Sequence, residues 1–251
     1  MYIAPNCNTP STDRHRGTPA LDERTGLRLP HFLIIGAPKC GTTWLHRSLM
    51  HNRAVRMPQQ EVAFFEDPDF HDGDCAQLAG LFARAPAGAL LGIKRPSYFA
   101  KPECPARIAA HLPQAMLIVL LRNPVDRAIS DYYHNMRYGH LPLEDPDAAF
   151  RRMLAGSYDP LFVRRILESG LYARALTRYR DHFAPERILL VVQHRASDHL
   201  LDRYADVCRF LAIHNDVPLH LLDRRHNRGI YDADALNRIR TLNPYLYDYD
   251  R

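Results

Sequence analysis

The feature that most constrains the fold is a short apolar run that ends in glycine and leads directly into an amphipathic segment. Residues 31–36 (HFLIIG) predict a buried strand, and residues 42–50 (TTWLHRSLM) predict a helix because their apolar side chains recur at helical spacing. The loop between them is bounded by glycines at 36 and 41. This arrangement is typical of α/β proteins that bind phosphate, since the N–H groups of the loop and helix start point at the anion.

Further apolar runs predict strands at 89–94, 115–121 and 187–192, each separated from the next by helical segments. Strands that alternate with helices favour a mostly parallel sheet covered on both faces. We therefore expect an α/β fold with a P-loop-like central parallel β-sheet flanked by helices on both faces. A chain of 251 residues, 46% of them hydrophobic, suffices for a single domain over 31–251. Residues 1–30 lack periodicity and predict a flexible N-terminal tail.

The loop differs from an ATP-binding P-loop in the position of its lysine. The Walker A pattern has Lys directly after the second glycine, whereas here Thr42 follows Gly41 and Lys39 lies inside the loop. A loop with an earlier lysine, followed by Thr42 and Thr43, can hold one 5′-phosphate and reach a group attached to it. A tight turn without a ligand is the alternative, which the joint placement of Gly, Lys and Thr disfavours.

A second phosphate-binding pattern follows the strand at 115–121. Arg122 leaves the carboxyl end of this strand, where α/β folds bind ligands, and its guanidinium can hold a phosphate through paired hydrogen bonds. Pro124 then begins a helix over 124–138, on which Ser130 lies two turns along. Taken alone, Arg122 would be better explained by pairing with a local acid. Beside the first loop, it predicts a second phosphate on the same ligand.

These patterns resemble those of sulfotransferases that use 3′-phosphoadenosine 5′-phosphosulfate (PAPS). The sequence FLIIGAPKCGTTWL at 32–45 resembles the loop that binds the 5′-phosphosulfate, and IVLLRNPVDRAIS at 118–130 resembles the 3′-phosphate motif. The resemblance is closest to the branch that contains heparan sulfate N-deacetylase/N-sulfotransferase and 3-O-sulfotransferase domains and their bacterial relatives. It covers about residues 31–231 and includes the shorter segments 60–65, 92–99 and 170–179.

The resemblance implies a set of donor-binding residues, and it identifies 31–251 as a sulfotransferase domain. The phosphosulfate and 3′-phosphate motifs imply contacts from Lys39, Cys40, Gly41, Thr42, Thr43, Arg122 and Ser130. The basic segment 224–231 resembles the family's late glycine-containing loop, so Arg228 and Gly229 are expected to close over the nucleotide. A solvated charge cluster is an equal alternative for that segment.

Catalytic roles follow from the same resemblance. Lys39 is expected at the bridging oxygen and leaving phosphate, and Lys94 at the sulfuryl oxygens or the acceptor, with a solvated strand-end lysine as the competing interpretation. Glu61 is implied as the base that removes the acceptor proton, and His134 is a second candidate for that role.

One departure from the family affects the acceptor side of the expected site. Ile93 and Arg95 flank Lys94, whereas relatives commonly have Glu before this lysine and a small residue after it.

Composition narrows the classes of partner. A net charge of +5 fits an anionic ligand, but the basic residues are too scattered for nucleic-acid binding. The five cysteines are odd in number and include no CxxC pair, so we expect neither a disulfide framework nor a zinc site. Cysteines without disulfides are typical of a reducing compartment, so we expect a cytoplasmic location. We find no signal peptide and no apolar stretch near the roughly 20 residues that span a bilayer, so no membrane anchor is expected.

We therefore expect in-line transfer of a sulfuryl group from PAPS to a hydroxyl or amine of a carbohydrate or small metabolite, with release of adenosine 3′,5′-bisphosphate (PAP). No metal is expected, since a sulfate ester carries less charge than a triphosphate terminus. The alternatives are a P-loop nucleotide kinase or hydrolase, which predicts Mg²⁺ dependence, and a non-catalytic nucleotide-binding module. Oligomeric state and the choice between O- and N-sulfation stay open.

Overall fold

A five-stranded parallel sheet forms the centre of the computed structural model, which describes residues 26–71, 75–193 and 200–222. The strand order is β2-β3-β1-β4-β5, and each adjacent pair is parallel. The strands are β1 (Phe32–Gly36), β2 (Val55–Arg56), β3 (Leu90–Lys94), β4 (Met116–Leu121) and β5 (Ile188–Val192).

Helices connect the strands and flank the sheet. They are α1 (Thr42–Met50), α2 (Cys75–Gly80), α3 (Cys104–His111), α4 (Pro124–Arg137), α5 (Pro146–Leu154), α6 (Pro160–Ile166), α7 (Tyr172–Arg180), α8 (Leu200–Phe210) and α9 (Leu219–Leu222). Short 3₁₀ turns cover Pro96–Phe99, Glu168–Gly170 and Pro185–Arg187. The expected α/β fold with a central parallel sheet is confirmed.

The inner strands are buried on both faces, as the apolar runs indicated. All five residues of β1 are buried, and Leu117 to Val119 of β4 have no exposed surface. A parallel sheet covered by helices has no polar face, which is why these strands read as continuous apolar runs rather than as alternating patterns.

A smaller apolar cluster lies between α4, α5 and α6. Within it, Arg127, whose side chain is fully buried, joins α4 to α6. The Arg127 Nη1 lies 2.9 Å from Asp131 Oδ2, and its Nη2 donates to the carbonyl of Ile166. This pairing fixes α4, and with it the face that carries Ser130.

Residues 26–30 pack against the domain, although the sequence placed them in the tail. Leu29 is buried, and the Arg28 guanidinium donates to the carbonyls of Ala85 (2.6 Å) and Pro86 (2.7 Å). The packed part of the chain therefore begins before residue 30. Residues 1–25 lie outside the described part, so the flexible tail stays a prediction there.

The sheet places three functional segments at one edge. Strands β1, β3 and β4 are adjacent and parallel, so the residues that follow Gly36, Lys94 and Leu121 emerge side by side. This edge, at the carboxyl ends of the strands, is where open α/β sheets bind ligands. None of the helices in the described ranges has the length and apolar character that crossing a membrane requires.

Candidate active site

The loop after β1 begins at a position where only glycine fits. A Cβ on Gly36 would lie 2.4 Å from the Cβ of Phe99 and 3.1 Å from the carbonyl oxygen of Pro96. The next residue, Ala37, donates its N–H to the carbonyl of Leu120 at 2.8 Å. The loop therefore leaves β1 pressed against the turn after β3 and tied to β4.

The loop then folds through two left-handed residues before α1. Lys39 has φ of 64° and Gly41 has φ of 89°. Gly41 is also the N-cap of α1, and it has no side chain to cap the helix. The first-turn N–H groups of an α-helix have no intrahelical acceptor, so they are available to an anion in front of Thr42 and Thr43.

An excess of positive charge surrounds Lys39. Burial lowers the pKa of this lysine, and the cations Arg165, Arg137 and Arg122 lower it further, while Asp131 opposes them. Bringing an anion into the loop would offset both the burial and the repulsion. Sequence reasoning missed Arg137 and Arg165, although Arg137 lies seven residues after Ser130 and so shares its face of α4.

Arg122 lies against the back of this loop. Its Nη1 donates to the carbonyl of Lys39 at 3.3 Å, and about a quarter of its side chain is exposed. The local acid considered from the sequence is present as Asp126, but the two charged groups are 3.8 Å apart and Asp126 is largely exposed. Asn123 caps α4, since its Oδ1 accepts from the N–H of Val125 at 2.9 Å. Arg122 is thus fixed between the loop and the start of α4.

Ser130 lies half-buried on α4. Within the described residues, no hydrogen bond joins it to Arg122.

Lys94 connects the loop to the candidate base. It is 5% exposed, and its Nζ lies 2.9 Å from Glu61 Oε1 and 3.5 Å from Thr43 Oγ1. The competing interpretation of Lys94 as a solvated strand-end lysine is therefore wrong. Glu61 keeps 40% of its side chain exposed, so an acceptor can reach it from solvent.

The segment that carries Glu61 is held by the turn after β3. Val62 donates its N–H to the carbonyl of Lys94 at 3.1 Å, and its own carbonyl accepts from the Tyr98 hydroxyl. The same hydroxyl accepts from the N–H of Phe65 at 3.1 Å. Burial raises the pKa of Tyr98 far above its usual value, so this hydroxyl stays protonated.

A charged network that the sequence did not predict surrounds Glu66. This carboxylate is 2% exposed and accepts from Arg95 Nε (2.6 Å), Ser97 Oγ (2.8 Å) and Lys101 Nζ (3.0 Å). Arg95 also reaches Glu61, with 3.4 Å between Nη1 and Oε2. Sequence spacing gave no signal for these pairings, because they join residues about 30 positions apart.

Two histidines near the site are neutral at physiological pH. His46 is buried with its Nε2 2.8 Å from the carbonyl of Pro58, and burial, followed by the charge of Lys94, lowers its pKa to about 4. Burial, followed by the charge of Lys39, lowers the pKa of His134 to about 3. The structure therefore associates His134, the second candidate base, with Lys39.

The remaining expected contacts divide into two groups. The Cys40 thiol is buried and lies 3.6 Å from the Tyr172 hydroxyl, so its side chain packs within the protein and only its main chain is left for a ligand. Arg228 and Gly229 lie outside the described residues. In the part of the chain that the structure describes, no group of three His, Cys, Asp or Glu side chains is placed to hold a metal ion.

Comparison with known proteins gives a consistent result. Residues 29–225 match the family model described as "Sulfotransferase domain". The chain is 31% identical over 227 residues to mouse bifunctional heparan sulfate N-deacetylase/N-sulfotransferase 2, covering 83% of this chain and 25% of that protein. It is 36% identical over 165 residues to mouse heparan sulfate glucosamine 3-O-sulfotransferase 3B1, covering 65% and 41%. The chain therefore spans about a quarter and two fifths of these two relatives.

A solved structure of a sulfotransferase from Alicyclobacillus acidocaldarius superimposes with a TM-score of 0.63 at 26% identity. The match covers 87% of this chain and 94% of that one.

Proposed function

The chain belongs to the sulfotransferase family, and from that premise we propose that it transfers a sulfuryl group from PAPS to a hydroxyl or amine of an acceptor. The observation that carries the proposal is the placement of Lys94, whose buried ammonium lies between Glu61 (2.9 Å) and Thr43 at the phosphate loop (3.5 Å). The Lys94 ammonium thus lies between a candidate general base, Glu61, and the anion-binding start of α1. Transfer of a group from a bound anion to an acceptor substrate requires a base and an anion site placed this close together.

The residues present fit the donor. The left-handed loop and the start of α1 offer N–H groups to the 5′-phosphosulfate, with Lys39 and the hydroxyls of Thr42 and Thr43 beside them. Arg122 and Ser130 are proposed to hold the 3′-phosphate. When bound, the donor supplies a sulfuryl group that is activated by a phosphate leaving group.

Lys39 and Lys94 are proposed to stabilise the charge that develops during transfer. Lys39 would oppose the negative charge on the leaving phosphate, and the anion would in turn restore the protonated state that burial disfavours. Lys94 would stabilise the sulfuryl oxygens from the other side. Because Lys94 is nearly inaccessible to water, its charge acts there with little screening.

Glu61 is proposed as the general base. Its carboxylate is partly exposed, so an acceptor hydroxyl or amine can approach and give its proton to Glu61 as the heteroatom attacks sulfur. Lys94 holds one carboxylate oxygen and so orients Glu61.

The proposed acceptor is a carbohydrate. The names of two similar proteins describe sulfation of heparan sulfate, a sugar polymer. The surplus of cations around Lys39, which includes Arg137 and Arg165, suits an acceptor that is itself anionic. A small metabolite is the alternative acceptor.

We also propose a cytoplasmic location. Of the described cysteines, Cys40, Cys104 and Cys208 form no disulfide, which fits a reducing compartment.

A thermal shift experiment tests the nucleotide assignment. PAP added with EDTA should stabilise the protein, because a ligand that binds only the native state raises the melting temperature, whereas ATP with Mg²⁺ should have a much smaller effect. Stabilisation by ATP and Mg²⁺ alone would favour a kinase or hydrolase. A screen of partly desulfated heparan sulfate, simple amino sugars and phenols with labelled PAPS then identifies the acceptor class.

A further inference from the structure

Arg95 occupies a position between two carboxylates at the end of β3. Its Nε lies 2.6 Å from Glu66 Oε1, and its Nη1 lies 3.4 Å from Glu61 Oε2. The Arg95 side chain is 31% exposed, whereas that of Glu66 is 2% exposed, so Arg95 lies between a buried carboxylate and a partly exposed one.

The main chain of Arg95 is fixed by the sheet and the following turn. Its N–H donates to the carbonyl of Ile34 on β1 at 3.0 Å, and its carbonyl accepts from the N–H of Tyr98 at 3.2 Å. Its side chain therefore starts from a rigid point of the sheet edge.

Glu66 anchors the far side of the guanidinium. This carboxylate is 2% exposed and also accepts from Ser97 and Lys101. A buried carboxylate with this many donors has little freedom, and the planar fork of arginine can contact two carboxylates at once without rearranging. The contacts with Glu66 therefore restrict the Arg95 guanidinium to one position, from which it reaches Glu61.

Both carboxylate oxygens of Glu61 are contacted by cations. Lys94 holds its Oε1 and Arg95 reaches its Oε2, so each carboxylate oxygen has a cation supplied by consecutive residues of the chain. A partly exposed glutamate would otherwise sample several rotamers. We propose that Arg95 is a positioning residue that orients Glu61 for proton removal from the acceptor. This inference rests on the proposed sulfotransferase activity.

The competing explanation is that Arg95 only neutralises Glu66 and stabilises the fold. The two explanations differ in whether the effect of Arg95 depends on Glu61. A double-mutant cycle measures that dependence directly.

The experiment combines Arg95→Met and Arg95→Lys with wild-type Glu61 and with Glu61→Gln. Rates are measured with labelled PAPS and a partly desulfated heparan sulfate oligosaccharide, and PAP affinity is measured by calorimetry. We expect Arg95→Met to lower kcat about 10- to 100-fold, as misplacement of a catalytic group does, with PAP affinity changed less than about twofold. Arg95→Lys should restore part of the rate. In the Glu61→Gln background, adding Arg95→Met should lower kcat further by less than about twofold.

Two controls protect this test. Arg95→Met removes two donors of Glu66, Nε and Nη2, so Arg95→Met/Glu66→Gln is made alongside it to remove the buried charge as well. Arg209→Met removes an arginine that is 78% exposed and paired only with Asp206 in the described structure, and its kinetics should equal those of wild type.

The outcomes separate the two proposals. An equal loss of rate from Arg95→Met in both backgrounds, or no loss with wild-type Glu61, would overturn the positioning role while the sulfotransferase activity stood. If the wild-type protein sulfated neither this oligosaccharide nor any other acceptor in the screen, the proposed function would be refuted, and the role of Arg95 with it.

Discussion

Replacing Arg122 with alanine should remove the preference of the protein for a nucleotide that carries a 3′-phosphate. The comparison uses PAP and AMP, which differ only in that phosphate. The wild-type protein should bind PAP more tightly, because the Arg122 guanidinium leaves β4 at the ligand-binding edge, and the Arg122→Ala variant should bind the two nucleotides almost equally.

The expected size of the effect follows from the surroundings of Arg122. Hydrogen bonds to charged groups contribute about 1.5–3 kcal/mol. Since about a quarter of the side chain is exposed, we take that range for the whole contact rather than for each of two bonds. This corresponds to a loss of about 10- to 150-fold in PAP affinity.

Arg122 also supports the loop itself, since its Nη1 donates to the carbonyl of Lys39 at 3.3 Å. Loss of this contact should lower the affinities for PAP and for AMP by the same small factor, about threefold or less, because the hydrogen bond is long. The ratio of the two affinities therefore isolates the 3′-phosphate contact from any loosening of the loop.

The assay is isothermal titration of wild type, Arg122→Ala and the exposed control Arg209→Ala with PAP and with AMP at fixed salt. An unchanged PAP-to-AMP ratio in Arg122→Ala would refute the assignment. If both affinities fell together, Arg122 would act only through the Lys39 loop, and the 3′-phosphate would have to be held elsewhere.

Other substitutions and pH give further expectations. Lys39→Ala should lower kcat by about 10²- to 10³-fold in a sulfate-transfer assay, the usual cost of one electrostatic contact to the transition state. Gly36→Ala should reduce the melting temperature and abolish PAP binding, since its Cβ would lie 2.4 Å from Phe99, and calorimetry will show this. Burial lowers the pKa of His46 to about 4 and of His134 to about 3, so the unfolded chain takes up their protons first as pH falls below about 6.5. Stability should therefore be lost from there toward pH 4, and His46→Gln should reduce the loss between pH 7 and 4.5 by roughly 2–3 kcal/mol in urea titrations.

The inner strands could be predicted because burial on both faces leaves a continuous apolar run. The predicted strands at 31–36, 89–94, 115–121 and 187–192 correspond to β1, β3, β4 and β5. Strand β2 has two residues and carries no periodic signal.

Helix α6 was missed for a different reason. Asp159 caps it, with Oδ1 accepting from the N–H of Leu161, and Pro160 is its first residue. Aspartate followed by proline is a recognisable helix start, so the sequence does carry a local signal for this element.

Some residues of the candidate site could likewise be predicted from local sequence patterns, and others could not. Lys39 and Arg122 could be predicted because each belongs to a local strand–loop–helix pattern. The contacts of Arg95 with Glu61 and Glu66 depend on how the segment after β2 lies against the end of β3, which no local pattern encodes.

The most direct test of the central claim is transfer of label from ³⁵S-PAPS by the purified protein in EDTA. We predict labelled acceptor and an equal amount of PAP, with both lost in Lys39→Ala. The contradictory result is that no acceptor is labelled and no PAP forms, while the same protein with Mg²⁺ hydrolyses ATP or transfers its terminal phosphate.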